Sequence, residues 1–416
     1  MRKLIISTIA VLSLWAPNLY AAEIRQFNFA QKAKPDFVSV GAAAYSSEKG
    51  FGFEGIAPTQ TKRAAEGKPF YFSTDVPPGN YKVTVTLGGE KASETTVKAE
   101  LRRLMLERVQ VPAKRSVTKS FIVNVRTPEI AGGGKVQLNA RETGKEVWAW
   151  DSRLTLEFVG NPAVQSIRIE PVDVPTVYLL GDSTVTDQSG EPFASWGQML
   201  PRFFKPTVAV ANHGQSGEST FSSKSARRFD KIISEMKPGD YFIVQFGHND
   251  AKSKDEDKLQ KYRDNLIDWA NQVKAKGGTA VIVTPVHRNR FEGGKVRDTH
   301  GQFPQMAREA AEQSGAYLID LHAQSAVLYE ALGAKEARAL FMHTPDYAKM
   351  DGTHHSPYGA YELAKIVVQG LRDVKAPIAA EVIEDLPAYD PAQPTQEKDF
   401  KVPPSLSLTS ETPLGN

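Results

Sequence analysis

Cysteine is absent from the 416 residues. That excludes a disulfide framework, a thiolate nucleophile and every Cys-ligated zinc or iron–sulfur site. Charge of one sign is missing too: 51 Lys and Arg stand against 48 Asp and Glu. A dedicated nucleic-acid binder normally carries a large basic excess, so no nucleic-acid partner is expected. Beyond the N-terminus no apolar run is long enough to span roughly 30 Å of hydrocarbon. What is there, 24% charged and 41% hydrophobic residues, is the composition of a globular protein. Its length suggests two or three domains of roughly 100–200 residues.

Arg2 and Lys3 precede an apolar stretch over 4–14, and small residues follow at Ala21 and Ala22. A basic start, a short apolar core and a small-residue end describe a secretory signal peptide, expected here over residues 1–21. The protein is then periplasmic or secreted, with no membrane insertion after cleavage.

Residues 22–171 read as β. Tyr81, Val83, Val85 and Leu87 alternate with Lys82, Thr84 and Thr86, the period of a half-buried strand. Similar runs occur at 70–73, 95–101, 119–125, 135–138, 154–159 and 164–169. Short strands at frequent turns suggest a β-sandwich accessory domain, one that could bind carbohydrate. After Pro171 and Pro175 the pattern changes. Buried apolar runs at 177–180, 208–211, 241–246, 280–283 and 316–321 alternate with amphipathic stretches. The clearest of these puts Leu259, Tyr262, Leu266, Trp269 and Val273 on one face and stops at Gly277-Gly278; another helix is expected over about 357–374. Five strands separated by helices imply a doubly wound parallel sheet over residues 172–380, which binds ligands at the carboxyl ends of its strands. The segment 381–416 contains six prolines after position 386 and is expected to be an extended or disordered tail.

The polar motifs fall at those strand ends. Gly181-Asp182-Ser183-Thr184-Val185 follows the first strand, Asn212-His213-Gly214-Gln215-Ser216-Gly217-Glu218-Ser219 the second, and Gly247-His248-Asn249-Asp250 the third. Asp351-Gly352-Thr353-His354-His355 precedes the last helix. Alone, a Gly-Asp-Ser reads as a helix cap. Together the four clusters supply the parts of acyl transfer. A serine hydroxyl needs an imidazole within about 3 Å to take its proton, and the imidazole needs a carboxylate to hold its tautomer. Asp351 and His354, three residues apart, can serve Ser183 in this way. The backbone N–H groups of Ser183 and Gly217 and the side-chain amide of Asn249 are candidate oxyanion donors.

The ordered set G-D-S, Gly, G-x-N-D and D-x-x-H resembles the four blocks of the SGNH (GDSL-type) hydrolase superfamily. The wording around them, with Thr284-Pro285-Val286-His287-Arg288 and Asp298-Thr299-His300-Gly301, is similar to that of the bacterial rhamnogalacturonan acetylesterases, carbohydrate esterase family 12. The resemblance covers about 200 residues. The β-domain, with Arg102-Arg103-Leu104-Met105-Leu106 and Trp150-Asp151-Ser152-Arg153-Leu154, looks like an accessory module of such enzymes. The resemblance implies an SGNH-type, flavodoxin-like three-layer fold with Ser183 as nucleophile, His354 as base and Asp351 as its partner. Ser183, Gly217 and Asn249 would form the oxyanion hole. It implies a serine esterase that deacetylates rhamnogalacturonan, an acetylated acidic polysaccharide, without a metal or other cofactor. Two positions depart from the pattern: Glu218 stands where a basic residue is usual, and His355 where an aromatic is, so either histidine of the pair is open as the base.

Several other residues invite a role. Arg288 and Arg290, with Arg297, lie after the fourth strand and could fork onto uronate carboxylates; a solvated loop is the plain alternative. Trp148 and Trp150 could stack on sugars, although core packing is the commoner fate of such residues. His343, Asp346, Asp351, His354 and His355 match no tight ligand spacing. His248 reads as a loop support. Two other functions stay open: an esterase for another acyl ester (acetylated xylan, a bacterial glycan, a short-chain lipid), or a carbohydrate-binding protein without catalysis.

Overall fold

The protein is described here by a computed structural model that covers residues 23–344, 346–409 and 411–414. The segment expected to be a signal peptide lies outside the described residues. The second half of the chain builds a five-stranded sheet whose strands run in the order Ala209–Asn212, Thr176–Gly181, Tyr241–Gln245, Thr279–Val283, Tyr317–Ile319. All four pairings are parallel. This 2-1-3-4-5 order is the flavodoxin-like one, and it opens a crevice where the strand order reverses.

Strand periodicity decides which helix covers which face. Val177, Leu179, Ile243, Val281 and Val283 point to one side, where they meet Trp196, Leu363, Val367 and Leu371. Tyr178, Leu180, Phe242, Val244 and Ile282 point to the other, against Phe229, Tyr262, Trp269 and Ala307. Helix Pro357–Asp373 therefore sits on the first face, with helices Lys258–Ala275 and Phe303–Ser314 on the second. This is the α/β architecture expected from the alternating pattern.

The first half is a sandwich of two mostly antiparallel sheets, ordered around strands Gly79–Leu87 and Ala163–Pro171 in one and Phe70–Asp75 and Arg153–Asn161 in the other. Their inner faces share one aromatic core, including Phe27, Phe53, Phe72, Tyr81, Val85 and Phe158. The run 135–138 is not a strand. Val136 and its neighbours Ile130 and Leu138 fill a small separate core with Leu101 and Trp150, and Gln137 N–H bonds to the carbonyl of Ala226 in the other domain at 3.0 Å. Strand Arg103–Val111 carries no clean alternation in sequence and was not among the expected strands.

That strand begins at the junction of the two halves. The hairpin turn from strand Ser93–Ala99 places Glu100 and Arg102 at φ 55° and 63°. Non-glycine residues adopt this left-handed region at a cost of roughly 1–2 kcal/mol each. The turn drives two arginines into the loop after Ser183. Arg102 donates to the carbonyls of Gln188 (3.1 Å) and Phe193 (2.9 Å) and pairs with Glu191 at 2.6 Å. Arg103 pairs with Asp187 at 3.0 Å and donates to Val210 O at 3.2 Å. Trp150 is buried between Arg126 and His213 and donates to Glu142, so it is a core residue of the junction.

Residues 381–409 and 411–414 run extended over both halves. Ser405 accepts from Lys98 (2.7 Å) and donates to Glu157 (2.9 Å), while its N–H bonds to Glu191 at 3.0 Å. Removing one partner of a buried ion pair is costly because the other charge stays buried. Arg103→Met is accordingly expected to destabilise the protein by about 3–5 kcal/mol, read as a fall in the denaturant midpoint.

Candidate active site

Ser183 stands one turn past strand Thr176–Gly181, at the crevice. The approach leaves no room for a side chain at position 181: a Cβ there would lie 2.6 Å from the carbonyl oxygen of Gln245 on the neighbouring strand. Asp182 fixes the turn. Its carboxylate accepts from the N–H and hydroxyl of Thr184 at 2.9 and 2.8 Å, and its carbonyl accepts from Val185 and Thr186 N–H at 3.0 Å.

His354 is the last residue but one of a short strand, Met350–His355, just before the Ser356 cap of the last helix. Its Nε2 lies 2.9 Å from Ser183 Oγ and its Nδ1 2.8 Å from Asp351 Oδ2. The other oxygen of Asp351 accepts from Thr353 and His354 N–H at 2.7 and 3.0 Å. Burial pushes the Asp351 carboxyl up. The hydrogen bond and charge of His354 and the two backbone donors outweigh that and hold it well below the usual carboxylate range. Strand alternation turns His355 the other way: its Nε2 is 3.0 Å from the hydroxyl of Tyr329, it is fully buried, and burial pushes its pKa down to about 3. The residue that meets the serine is thus His354.

Gly217 adopts φ 84°, which leaves it free of the penalty a side chain would bring there. Asn249 donates one amide hydrogen to Glu218 O at 2.9 Å, tying the second block to the third. The side chain of Glu218 turns away toward Arg228, 3.4 Å distant, and toward Ser222. Arg228 in turn makes a bidentate pair with Glu142 of the β-domain at 2.8 Å for each bond. Gln188 joins the first two blocks, donating to Ser183 O at 2.7 Å. No sequence signal marked this loop glutamine. His248 supports its loop as expected, with Nδ1 3.2 Å from Asp182 Oδ2 and Arg288 donating to its carbonyl at 3.3 Å.

The tail comes close. Leu414 packs on Gly217, such that a Cβ on the glycine would stand 2.9 Å from the leucine Cβ. Ser183 and His354 are each only 1% exposed, and Phe193 packs edge-on to His354. Beside them lies a cleft of about 660 Å³ lined by Lys252, Arg288, Arg290, Lys349, Asp351 and Thr412, among others. Arg290 reaches it over Gly352. Arg288 is already engaged by Thr299 Oγ1 at 3.1 Å and by the His248 carbonyl, so it braces the loop as well as lining the cleft. His343 bonds to the carbonyl of Phe341 and stacks on Tyr347, apart from the histidines of the fourth block.

The family model described as GDSL-like Lipase/Acylhydrolase matches residues 179–360. The rhamnogalacturonan acetylesterase RhgT of Bacillus subtilis (strain 168) is 37% identical over 212 residues, which are 49% of this chain and 91% of that protein. The chain belongs to the GDSL-like lipase/acylhydrolase family. It is a serine carboxylic ester hydrolase of the SGNH type. YxiM of the same organism, an uncharacterized esterase, is 26% identical over 386 residues covering 85% of this chain and 93% of YxiM. That similarity therefore runs into the β-rich half as well. The crystal structure of YxiM is 25% identical with a TM-score of 0.48, over 85% of this chain and 99% of that one.

Asp250, beside the candidate oxyanion residue, accepts from Thr220 N–H (2.9 Å) and hydroxyl (2.6 Å). Burial pushes its carboxyl up to about 7. A raised carboxyl pKa in the folded state means that the folded protein holds its proton longer than the unfolded chain. Stability then falls as pH rises from about 4 to about 7, by up to about 1.4 kcal/mol per unit. Asp250→Asn is expected to remove that slope, seen as unfolding midpoints converging at pH 4 and favouring the variant at pH 8.

Proposed function

We propose that the protein is an exported carbohydrate acetylesterase acting on acetylated rhamnogalacturonan through an acyl-enzyme. The observation that carries the chemistry is the hydrogen-bonded chain Ser183–His354–Asp351, at 2.9 and 2.8 Å. Ser183 Oγ attacks the acetyl carbonyl while His354 Nε2 takes its proton, and Asp351 holds Nδ1–H and stabilises the imidazolium. The N–H groups of Ser183 and Gly217 and the amide of Asn249 receive the oxyanion. Collapse of the tetrahedral intermediate breaks the ester bond, and His354 passes its proton to the departing sugar oxygen. Water, deprotonated by the same imidazole, then releases acetate and restores the serine.

Two findings support the pectic substrate. RhgT, similar over nearly its whole length, is named for it. The cleft beside the serine brings together Lys252, Arg288, Arg290 and Lys349, a cationic lining suited to uronate carboxylates and of no use to neutral xylan. The signal-like start of the chain supports export. Among the described residues no helix is long and apolar enough to cross a membrane.

Acetate release from acetylated rhamnogalacturonan and from acetylated xylan separates the readings. Release from the pectic polymer, lost by about 10⁴-fold or more in Ser183→Ala, is the expected result. Xylan-only release would overturn the substrate and keep the mechanism; activity surviving the substitution would overturn the mechanism. Asn249→Ala is expected to lower kcat by about 10²–10³ with little change in KM.

A further inference from the structure

A second cluster of chemistry-bearing side chains lies behind the catalytic one, at the ends of the fourth and fifth strands. His287 follows strand Thr279–Val283, Asp298 and His300 precede helix Phe303–Ser314, and His322 opens helix Leu321–Glu336. One ligating atom from each of the four lies within 4.8 Å of all the others. His287, His300 and His322 are buried, and Asp298 opens the group to solvent.

Two features distinguish this group from histidines that merely fill a core. The first is unmet hydrogen bonding. Nδ1 of His287 and Nδ1 of His300 are buried and make no hydrogen bond among the described residues, an arrangement that costs about 1–3 kcal/mol per atom unless something binds there; Asp298 Oδ1 stands 4.0 Å from His300 Nδ1, beyond hydrogen-bond reach. The second is orientation. Nδ1 of His322 is 2.9 Å from the carbonyl of Pro285, which fixes the proton on Nδ1 and leaves the Nε2 lone pair facing Asp298 Oδ1 at 3.5 Å. A backbone carbonyl on the far nitrogen is how metal-ligating imidazoles are commonly oriented. His213 also has unpartnered nitrogens, but it packs between Trp150 and Tyr178 and belongs to no such group.

We propose that His287, Asp298, His300 and His322 form a binding site for one divalent transition-metal ion, with zinc the best match to three imidazoles and a carboxylate. The site is structural with respect to ester cleavage, because the triad is complete without it. Its place gives it a positioning role. The ring of His300 packs at 4.6 Å on His248, which bonds to Asp182 next to the nucleophile, and the residue after His287 is the cleft-lining Arg288. Arg288 Nη1 sits 3.4 Å from Nε2 of His300. Ligation through Nδ1 puts the proton on Nε2 and so repels the guanidinium from that edge, toward the cleft.

The test uses the full-length protein after chelation, titrated with Zn2+ and followed by calorimetry and thermal unfolding. One equivalent is expected to bind and to raise Tm, and Co2+ in its place is expected to give the visible absorption of a low-symmetry, nitrogen-rich site. Asp298→Asn, at an exposed position, and His287→Gln should each weaken binding by about tenfold or more. His343→Gln, outside the cluster, should not. Absence of stoichiometric binding overturns the proposal. Binding of equal strength in both cluster variants overturns it too, because the ion would then sit elsewhere.

Discussion

The buried contact of Arg103 with Asp187 holds the molecule's two halves in one register, and the geometry of the active site hangs on it. Asp187 lies four residues beyond the nucleophile and also accepts from the side chain of Asn212, the first residue of the second block. Arg126 reaches the carbonyl of that same asparagine. Two loops of the catalytic sheet are thus held by arginines that belong to the sandwich. Buried guanidinium groups are tolerated only when paired and hydrogen-bonded, which fixes the orientation of one half on the other far more tightly than apolar contact would. The β-domain is therefore a buttress of the hydrolase.

Within that frame the site is a set of buried charges each given one partner. Asp182 and Asp351 are both held below the usual carboxylate range, against burial, by a histidine and by hydrogen-bond donors. One histidine faces the serine; the other supports the loop that carries Asn249. The two pairs lie side by side, so the tautomer of each ring is set by its carboxylate. Where a carboxyl has no cationic partner, as at Asp250, burial raises its pKa. The same physics yields ionised orienting groups at Asp182 and Asp351 and a group poised near neutrality at Asp250.

Much of this was legible in the sequence, for reasons that can be named. Apolar runs bounded by polar motifs marked all five parallel strands, because a strand covered on both faces must be apolar throughout. Motif order brought Ser183, Asp351 and His354 to one rim. Strand Arg103–Val111 carries no strand signature in the sequence because half of it lies on the seam between domains, where arginine is the buried residue and alternation disappears. Run 135–138 carries strand-like alternation without being a strand, since its valine and leucine serve a small separate core. Gln188, and the convergence of His287 with His300 and His322, depend on chain segments that fold back on themselves, the longer one carrying helix Phe303–Ser314 and strand Tyr317–Ile319, and local patterning does not encode such returns.

Glu218 shows how one departure is absorbed. An acid at the mouth of a site proposed to take an acidic polymer would repel it, by about 1 kcal/mol at 4 Å in water and more where water is excluded. Arg228 meets it from behind, and that arginine is anchored on Glu142 across the domain junction. The charge is spent on structure, leaving its carbonyl to position Asn249. The cations that line the cleft come from three segments: Lys252 just after Asn249, Arg288 and Arg290 on the loop after the fourth strand, and Lys349 beside Asp351. Lys252 also reaches Asn249 Oδ1 at 3.4 Å, so the cationic cleft and the candidate oxyanion donor are joined through one loop, and a shift of either is felt by the other.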